Sequence, residues 1–174
     1  MKRRTALLLS SVVLCAASLA AQTKTHLKVG DMAPDFELNS TESRKIKLSE
    51  YRGKQSVVVA FFPAAFTGGC TKELNGYQAG LEQFVSSGAQ ILGISTDNTP
   101  SLGVFGKQLN LTYPLVSDFM RTASKDYGVL MADRGIASRT TFVVDTAGRI
   151  QYIEEGSSAV DVSGAAQACS RLKK

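Results

Sequence analysis

A proline, a threonine and a cysteine stand at close spacing in the segment FFPAAFTGGCTKEL, which spans residues 61–74. An apolar run at 56–62 predicts a buried strand before it, and Cys70 falls where a helix is expected to begin. The first turn of a helix has unpaired N–H groups and the positive end of the helix dipole, and both favour a thiolate. The sequence therefore predicts a reactive cysteine on a strand–loop–helix scaffold.

The neighbours of Cys70 can supply what a reactive thiolate without a histidine partner requires. The hydroxyl of Thr67 can donate to the thiolate or to an oxygen bound beside it. Gly68 and Gly69 allow close approach of the backbone and present N–H groups. Pro63 fixes the start of the loop and can shield the site from water. These residue types favour nucleophilic sulfur chemistry.

Length and composition indicate one globular domain behind a targeting segment. The chain has 174 residues, of which 44% are hydrophobic and 20% are charged. Residues 1–20 combine a basic start, a short apolar stretch and a Ser18-Leu19-Ala20 cleavage pattern, which predicts a secretory signal peptide. We expect the domain to span 21–174 and to be exported to the periplasm or secreted. An uncleaved membrane anchor and lipid attachment at Cys15 are the alternatives.

Charge and histidine content exclude several classes of function. The formal net charge is +5, from 20 basic and 15 acidic residues. Removal of Lys2, Arg3 and Arg4 with the signal leaves 17 basic residues and a net charge of +2, scattered along the chain, so no nucleic-acid partner is predicted. The one histidine, His26, is expected on a solvated tail, which argues against a His-based catalytic pair or metal site. No cofactor, no metal and no membrane association after signal cleavage are expected.

The hydrophobic pattern predicts an α/β domain with a mixed sheet flanked by helices. Two stretches in which apolar and polar residues alternate favour an N-terminal β-hairpin, and continuous apolar runs favour buried strands. Residues 31–38 are expected to form a turn that runs into a short strand. The other expected strands lie at 45–48, 56–62, 90–95, 140–144 and 149–155, with a short edge segment at 113–118. The expected helices lie at about 70–87, 102–109, 122–127 and 160–172.

The loop around Cys70 resembles the peroxiredoxin active site, which has the pattern Pro-x-x-x-Thr-x-x-Cys, here Pro63, Thr67 and Cys70. Further segments resemble the family in the expected order: APDF at 33–36, LGISTD at 92–97, YPLVSD at 113–118, and Arg139 before TTFVVD at 140–145. The resemblance covers roughly residues 27–155. Within the peroxiredoxins, the sequence resembles the alkyl hydroperoxide reductase and thiol-specific antioxidant family, and in particular its bacterioferritin-comigratory-protein-like members. Gly68 stands where the family often has proline.

The resemblance implies a thioredoxin-like fold and a thiol-dependent peroxidase that reduces hydrogen peroxide and organic hydroperoxides in antioxidant defence. Cys70 would be the peroxidatic nucleophile and would become a sulfenic acid. Thr67 would hydrogen-bond the thiolate and the peroxide, and Arg139 would favour the thiolate and stabilise charge on the peroxide oxygens. Pro63 would shield the site.

The partner that regenerates Cys70 is left open by the sequence. One subgroup of the family has a resolving cysteine five residues on, where this chain has Asn75. Cys169 is the other cysteine of the predicted domain, on the apolar side of the terminal helix. It is expected either to pack in the core or to resolve Cys70 after local unfolding; otherwise a thioredoxin-like protein or a small thiol acts directly. A monomer or a homodimer is expected.

Two other functions compete with the peroxidase. An exported thioredoxin-like thiol–disulfide oxidoreductase would use Cys-x-x-Cys, but the first position here is Thr67, whose hydroxyl cannot form a disulfide. A non-enzymatic thioredoxin-fold binding module would not require Pro63, Thr67, Cys70 and Arg139 together. The alternative to a catalytic role for Cys70 is that it packs in the core as a small apolar residue.

Overall fold

The structure is a computed structural model that describes residues 24–173. The predicted signal peptide at 1–20 lies outside the described residues, as do both ends of the predicted domain, at 21–23 and 174. Over residues 24–173, no helix combines the length and the apolar character needed to span a membrane.

The described chain forms nine strands and five α-helices. The strands are β1 (Glu37–Ser40), β2 (Lys45–Lys47), β3 (Ser56–Phe61), β4 (Ala89–Ser95), β5 (Leu115–Ser117), β6 (Leu130–Met131), β7 (Ile136–Ala137), β8 (Thr140–Val144) and β9 (Ile150–Glu155). The α-helices are α1 (Gly68–Ala79), α2 (Leu81–Ser86), α3 (Thr99–Gln108), α4 (Thr122–Asp126) and α5 (Ser163–Leu172). Short 3-10 turns cover Leu48–Tyr51 and Gly156–Val160.

Seven strands form one mixed sheet in the order β2-β1-β5-β4-β3-β8-β9. β3 and β5 each pair in parallel with β4, whereas β8 runs antiparallel to both β3 and β9. β1 pairs antiparallel with β2, so the predicted N-terminal hairpin is confirmed. The parallel strands β3, β4 and β5 bring their carboxyl ends to one edge of the sheet, where working loops of α/β folds lie.

β3 lies inside the sheet, and all six of its side chains are buried. Val57, Val59 and Phe61 belong to the apolar cluster that includes α4. Val58 and Ala60 belong to a second cluster, which includes side chains of α1, α2, α3 and α5. Because successive side chains of a strand point to opposite faces, both faces of β3 are covered, which accounts for its continuous apolar sequence.

Some predicted elements are wrong in position or extent. The helix expected over about 70–87 is divided at Gly80, which ends α1 and precedes α2, and Val85, expected on its apolar face, is 63% exposed. The segment 113–118 does not form an edge, because β1 pairs with the outer side of β5. The terminal helix begins at Ser163, after the 3-10 turn. The small β6–β7 sheet was not predicted, because its strands of two residues each are too short to show an alternation of apolar and polar side chains.

Candidate active site

Cys70 lies in the first turn of α1, as the sequence predicts. The loop that leaves β3 ends at Thr67, the N-terminal cap residue of the helix, so that Cys70 is its third residue. The N–H of Thr71 makes the first helical hydrogen bond, to Thr67 O at 2.9 Å. The N–H groups of Gly68, Gly69 and Cys70 precede that bond and cannot pair within the helix. The Cys70 side chain is 1% exposed, so its sulfur meets protein groups rather than bulk water.

The loop before Cys70 is tied to the end of β4. The N–H of Ala65 donates to Asp97 Oδ2 at 2.8 Å, and Ser95 Oγ donates to the same oxygen at 2.8 Å. Phe66 adopts a left-handed backbone with φ of 62°, an uncommon conformation for a bulky residue. Its ring packs against Phe105 of α3, with ring centroids 5.0 Å apart. The carboxyl ends of two neighbouring strands thus fix where α1 begins.

Arg139 reaches the sulfur of Cys70 from the adjacent strand. It immediately precedes β8, whose first residue, Thr140, pairs with Phe61 at the end of β3. The antiparallel pairing therefore places Arg139 beside the loop that follows β3. Nη2 of Arg139 lies 3.4 Å from Cys70 Sγ. A guanidinium in this position favours the thiolate and can stabilise negative charge on an attacked oxygen.

Glu73 is a site residue that sequence reasoning missed. Its carboxylate is fully buried, and Oε2 accepts a hydrogen bond from Arg139 Nη1. The same contact is an ion pair between the two side chains. The other carboxylate oxygen of Glu73, Oε1, has no hydrogen-bond partner among the described residues. Glu73 lies three residues after Cys70, so both side chains share one face of α1. That spacing was the available signal, but a charged residue in a helix usually faces solvent.

The two glycines before Cys70 have different surroundings. A Cβ atom built on Gly69 would lie 3.1 Å from Nη2 of Arg139, whereas one built on Gly68 would meet nothing within 4 Å. The absence of a side chain at position 69 therefore gives the guanidinium its place beside the sulfur. Both glycines are the opening residues of α1 rather than part of the loop.

Thr67 and Pro63 border the site without touching the sulfur in the described hydrogen-bond network. The hydroxyl of Thr67 donates to Ala64 O at 3.0 Å, and the side chain is exposed. A hydroxyl has one donor hydrogen, so the predicted bond to the thiolate requires it to leave Ala64. Pro63 is half-buried and, together with Arg139, lines a cavity of about 590 Å³. The shielding role of Pro63 stays a prediction.

Cys169 is a residue of α5, on the side that faces the core. It is fully buried in the same apolar cluster as Cys70, and both are free thiols in the structure. Burial raises the pKa of the Cys169 thiol to about 12, so its nucleophilic thiolate is disfavoured. The burial of Cys169 agrees with a core-packing role. Its role as the resolving cysteine stays a prediction and would require local unfolding.

The described residues include no group of three or more histidine, cysteine, aspartate or glutamate side chains placed to hold a metal ion. His26 is exposed and lies against Gly128. The groups brought together at Cys70 are a helix start, a guanidinium and a buried carboxylate. They can stabilise a thiolate and a negatively charged leaving oxygen.

Comparison with known proteins gives a consistent set of matches. The model of the AhpC/TSA family matches residues 29–153. Alkyl hydroperoxide reductase E of Mycobacterium bovis is 40% identical over 130 residues, which cover 74% of this chain and 85% of that protein. The solved structure of peroxidoxin BcpB from Mycobacterium tuberculosis has a TM-score of 0.77 at 33% identity and covers 84% of this chain and 97% of its own. AhpC of Mycobacterium bovis has a TM-score of 0.75 at 28% identity, covering 85% and 93%. The predicted thioredoxin-like fold is confirmed.

Proposed function

The chain belongs to the AhpC/TSA family and is a thiol-dependent peroxidase, and from this premise we propose that Cys70 is the sulfur that attacks the hydroperoxide. The observation that carries the assignment is the 3.4 Å approach of Arg139 Nη2 to Cys70 Sγ. The second cysteine of the described chain, Cys169, has no such cation and lies in an apolar core. Sulfur nucleophilicity depends on the thiolate, which positive neighbours favour and apolar burial disfavours.

The reaction proceeds by attack of the Cys70 thiolate on one oxygen of the O–O bond. An S–O bond forms, the O–O bond breaks, and the leaving oxygen takes a proton to become water or an alcohol. Sulfur is oxidised by two electrons to the sulfenic acid, and the peroxide is reduced by the same two. Arg139 and the N–H groups that open α1 stabilise the charge that develops on the leaving oxygen. Thr67 orients the peroxide when its hydroxyl turns from Ala64, and Pro63 excludes water.

The sulfenic acid is reduced by a thiol from outside the chain. One thiol condenses with Cys70–SOH, releasing water, and a second thiol regenerates Cys70 and leaves a disulfide between the two donors. A thioredoxin-like protein or a small thiol fits this role. Resolution by Cys169 would first require α5 to leave the core, because that sulfur is fully buried.

Peroxide consumption with a dithiol reductant tests the assignment. We expect activity in the wild type and in Cys169→Ser, and none above background in Cys70→Ser. Loss of activity in Cys169→Ser, with a Cys70–Cys169 disulfide in non-reducing peptide maps, would show that Cys169 resolves. Background rates in all three proteins, or rapid reduction of insulin disulfides, would contradict the peroxidase.

Export completes the proposal and rests on the sequence of residues 1–20. The basic start, the apolar stretch and the small residues at 18–20 support removal of this segment during secretion. Mass determination of the protein recovered from the host's periplasm or medium tests it. A mature start near residue 21 supports export, and intact chain confined to the cytosol contradicts it.

A further inference from the structure

The cavity of about 590 Å³ beside the Cys70 site, called here the Arg139 cavity, has no part in the steps above. Arg139 and Pro63 form part of its wall, while Cys70 is not among the residues that line it. Since Arg139 also touches the sulfur, its guanidinium is the group that the cavity shares with the Cys70 site. The volume is typical of a small-molecule site. It exceeds what hydrogen peroxide needs and leaves room for the organic part of a larger hydroperoxide.

The lining of the Arg139 cavity carries charges of both signs. Lys24 and Arg134 contribute cations, and Glu154 and Glu155 contribute carboxylates. Within residues 24–173, no carboxylate oxygen lies within 4.0 Å of an Arg134 nitrogen. Small-molecule pockets are usually lined mostly by apolar groups. Separated opposite charges therefore favour a ligand that carries both signs over a plain alkyl group.

Hydrogen bonds hold the two carboxylates in place, and a turn holds the backbone of Arg134, whose side chain is exposed. The N–H of Thr25 donates to Glu155 Oε1 at 2.7 Å, and Thr25 Oγ1 donates to Tyr127 O at 2.5 Å, which fixes the N-terminal side of the cavity. The hydroxyl of Tyr152 donates to Glu154. Arg134 lies in the tight turn between β6 and β7, where its N–H donates to Met131 O at 3.1 Å. Preorganised charges bind a ligand with less loss of side-chain freedom.

We propose that the Arg139 cavity binds the organic part of an amino-acid or short-peptide hydroperoxide, with its carboxylate at Arg134 and its ammonium group at Glu154. This inference rests on the proposed reaction at Cys70. The thiolate forms the S–O bond, the O–O bond breaks, and the alkoxide takes a proton from water and leaves as the hydroxy amino acid. The bound charges determine which hydroperoxide is delivered to the sulfur and do not enter the reaction.

The test is the rate constant for oxidation of Cys70 in single turnover by three peroxides: leucine hydroperoxide, N-acetyl-leucine hydroperoxide and hydrogen peroxide. Arg134→Gln should slow both leucine derivatives about fivefold, the size expected for one exposed ion pair, and leave hydrogen peroxide unchanged. Glu154→Gln should slow only leucine hydroperoxide, because the acetylated compound lacks the ammonium group. The matched control is Arg44→Gln, which should change none of the three, because Arg44 is exposed between β1 and β2, at the other edge of the sheet from β9, and does not line the cavity.

Equal effects of Arg134→Gln on all three peroxides, or no effect on either leucine derivative, would overturn the proposal. If no peroxide oxidises wild-type Cys70, the proposed function fails, and titration with leucine itself then decides about the cavity. Chemical-shift changes at the amides of Arg134 and Glu154, lost in Arg134→Gln, would support a binding site. Absence of such changes in the wild type would overturn it.

Discussion

Replacement of Arg139 by methionine should damage both the chemistry and the stability of the protein, through two separable causes. The Glu73 side chain is fully buried and that of Arg139 is 13% exposed. Each charge is therefore neutralised by the other rather than by water. Loss of the guanidinium leaves the Glu73 carboxylate without its counter-charge, with Oε1 already lacking a partner among the described residues. Breaking a buried ion pair from one side costs about 3–5 kcal/mol of unfolding free energy. Loss of a positioned donor to a developing oxyanion slows a reaction by about 10²–10³-fold.

A second substitution, Glu73→Met, separates the two effects. In the Arg139→Met background it removes the orphaned charge and replaces the pair with unbranched apolar side chains, so most of the lost stability should return. Catalysis should stay low, because no cation then lies beside Cys70. Urea unfolding at pH 7 gives the stability of the wild type, both single variants and the double variant. Stopped-flow oxidation by hydrogen peroxide gives the four rate constants.

Two outcomes would refute this reasoning. If the double variant is no more stable than Arg139→Met, the loss of stability does not come from the unpaired Glu73 carboxylate. If the double variant recovers the wild-type rate constant, the guanidinium beside Cys70 is not part of the chemistry.

Three further predictions follow from the same geometry. Gly69→Ala should slow oxidation of Cys70 about threefold or more, because the new Cβ would lie 3.1 Å from Arg139 Nη2 and small displacements of a catalytic group are costly. Gly68→Ala should match the wild type in the same stopped-flow assay, because a Cβ at that position has no atom within 4 Å. Iodoacetamide at neutral pH should leave Cys169 unmodified in the native protein and alkylate it in urea, since burial raises the pKa of that thiol to about 12; peptide mass mapping that shows rapid native alkylation would contradict this. Burial also raises the pKa of core tyrosines above the ordinary value of 10.0, so folding holds them in the neutral form. The free energy of unfolding should therefore be unaffected by these groups below about pH 10 and should fall as pH rises above it; urea midpoints that stay level between about pH 10 and pH 12 would contradict this. These tyrosines are Tyr77, Tyr113 and Tyr127.

The part of the fold with strong local patterns could be predicted from the sequence. β3 and β4 have long apolar runs, and the start of α1 follows a Pro- and Gly-bearing loop, so the strand–loop–helix unit around Cys70 was predicted correctly. The break at Gly80 was not, because the apolar spacing continues across it and the tertiary packing of α1 and α2 decides the direction of the chain. The interior place of β5 depends on its pairing with β1, which no local pattern shows.

The site shows the same division between local and long-range information. Cys70 was predicted from its place at an expected helix start and Arg139 from a resemblance over several segments, and the pairing of β3 with β8 brings them together. Glu73 was missed because its burial depends on Arg139, which is 66 residues away in sequence. The hydrogen bond of Thr67 to Ala64, in place of the predicted bond to sulfur, depends on the orientation of one hydroxyl, which residue types cannot specify.

Capture of the sulfenic acid tests the central claim most directly. The reduced protein is treated with one equivalent of hydrogen peroxide in the presence of dimedone, and the modified peptide is identified by mass spectrometry. We expect the adduct on Cys70, its absence in Cys70→Ser, and an unchanged yield in Cys169→Ser. An adduct on Cys169 instead, or peroxide that remains unconsumed by the wild type, would contradict the assignment of Cys70 as the peroxidatic sulfur.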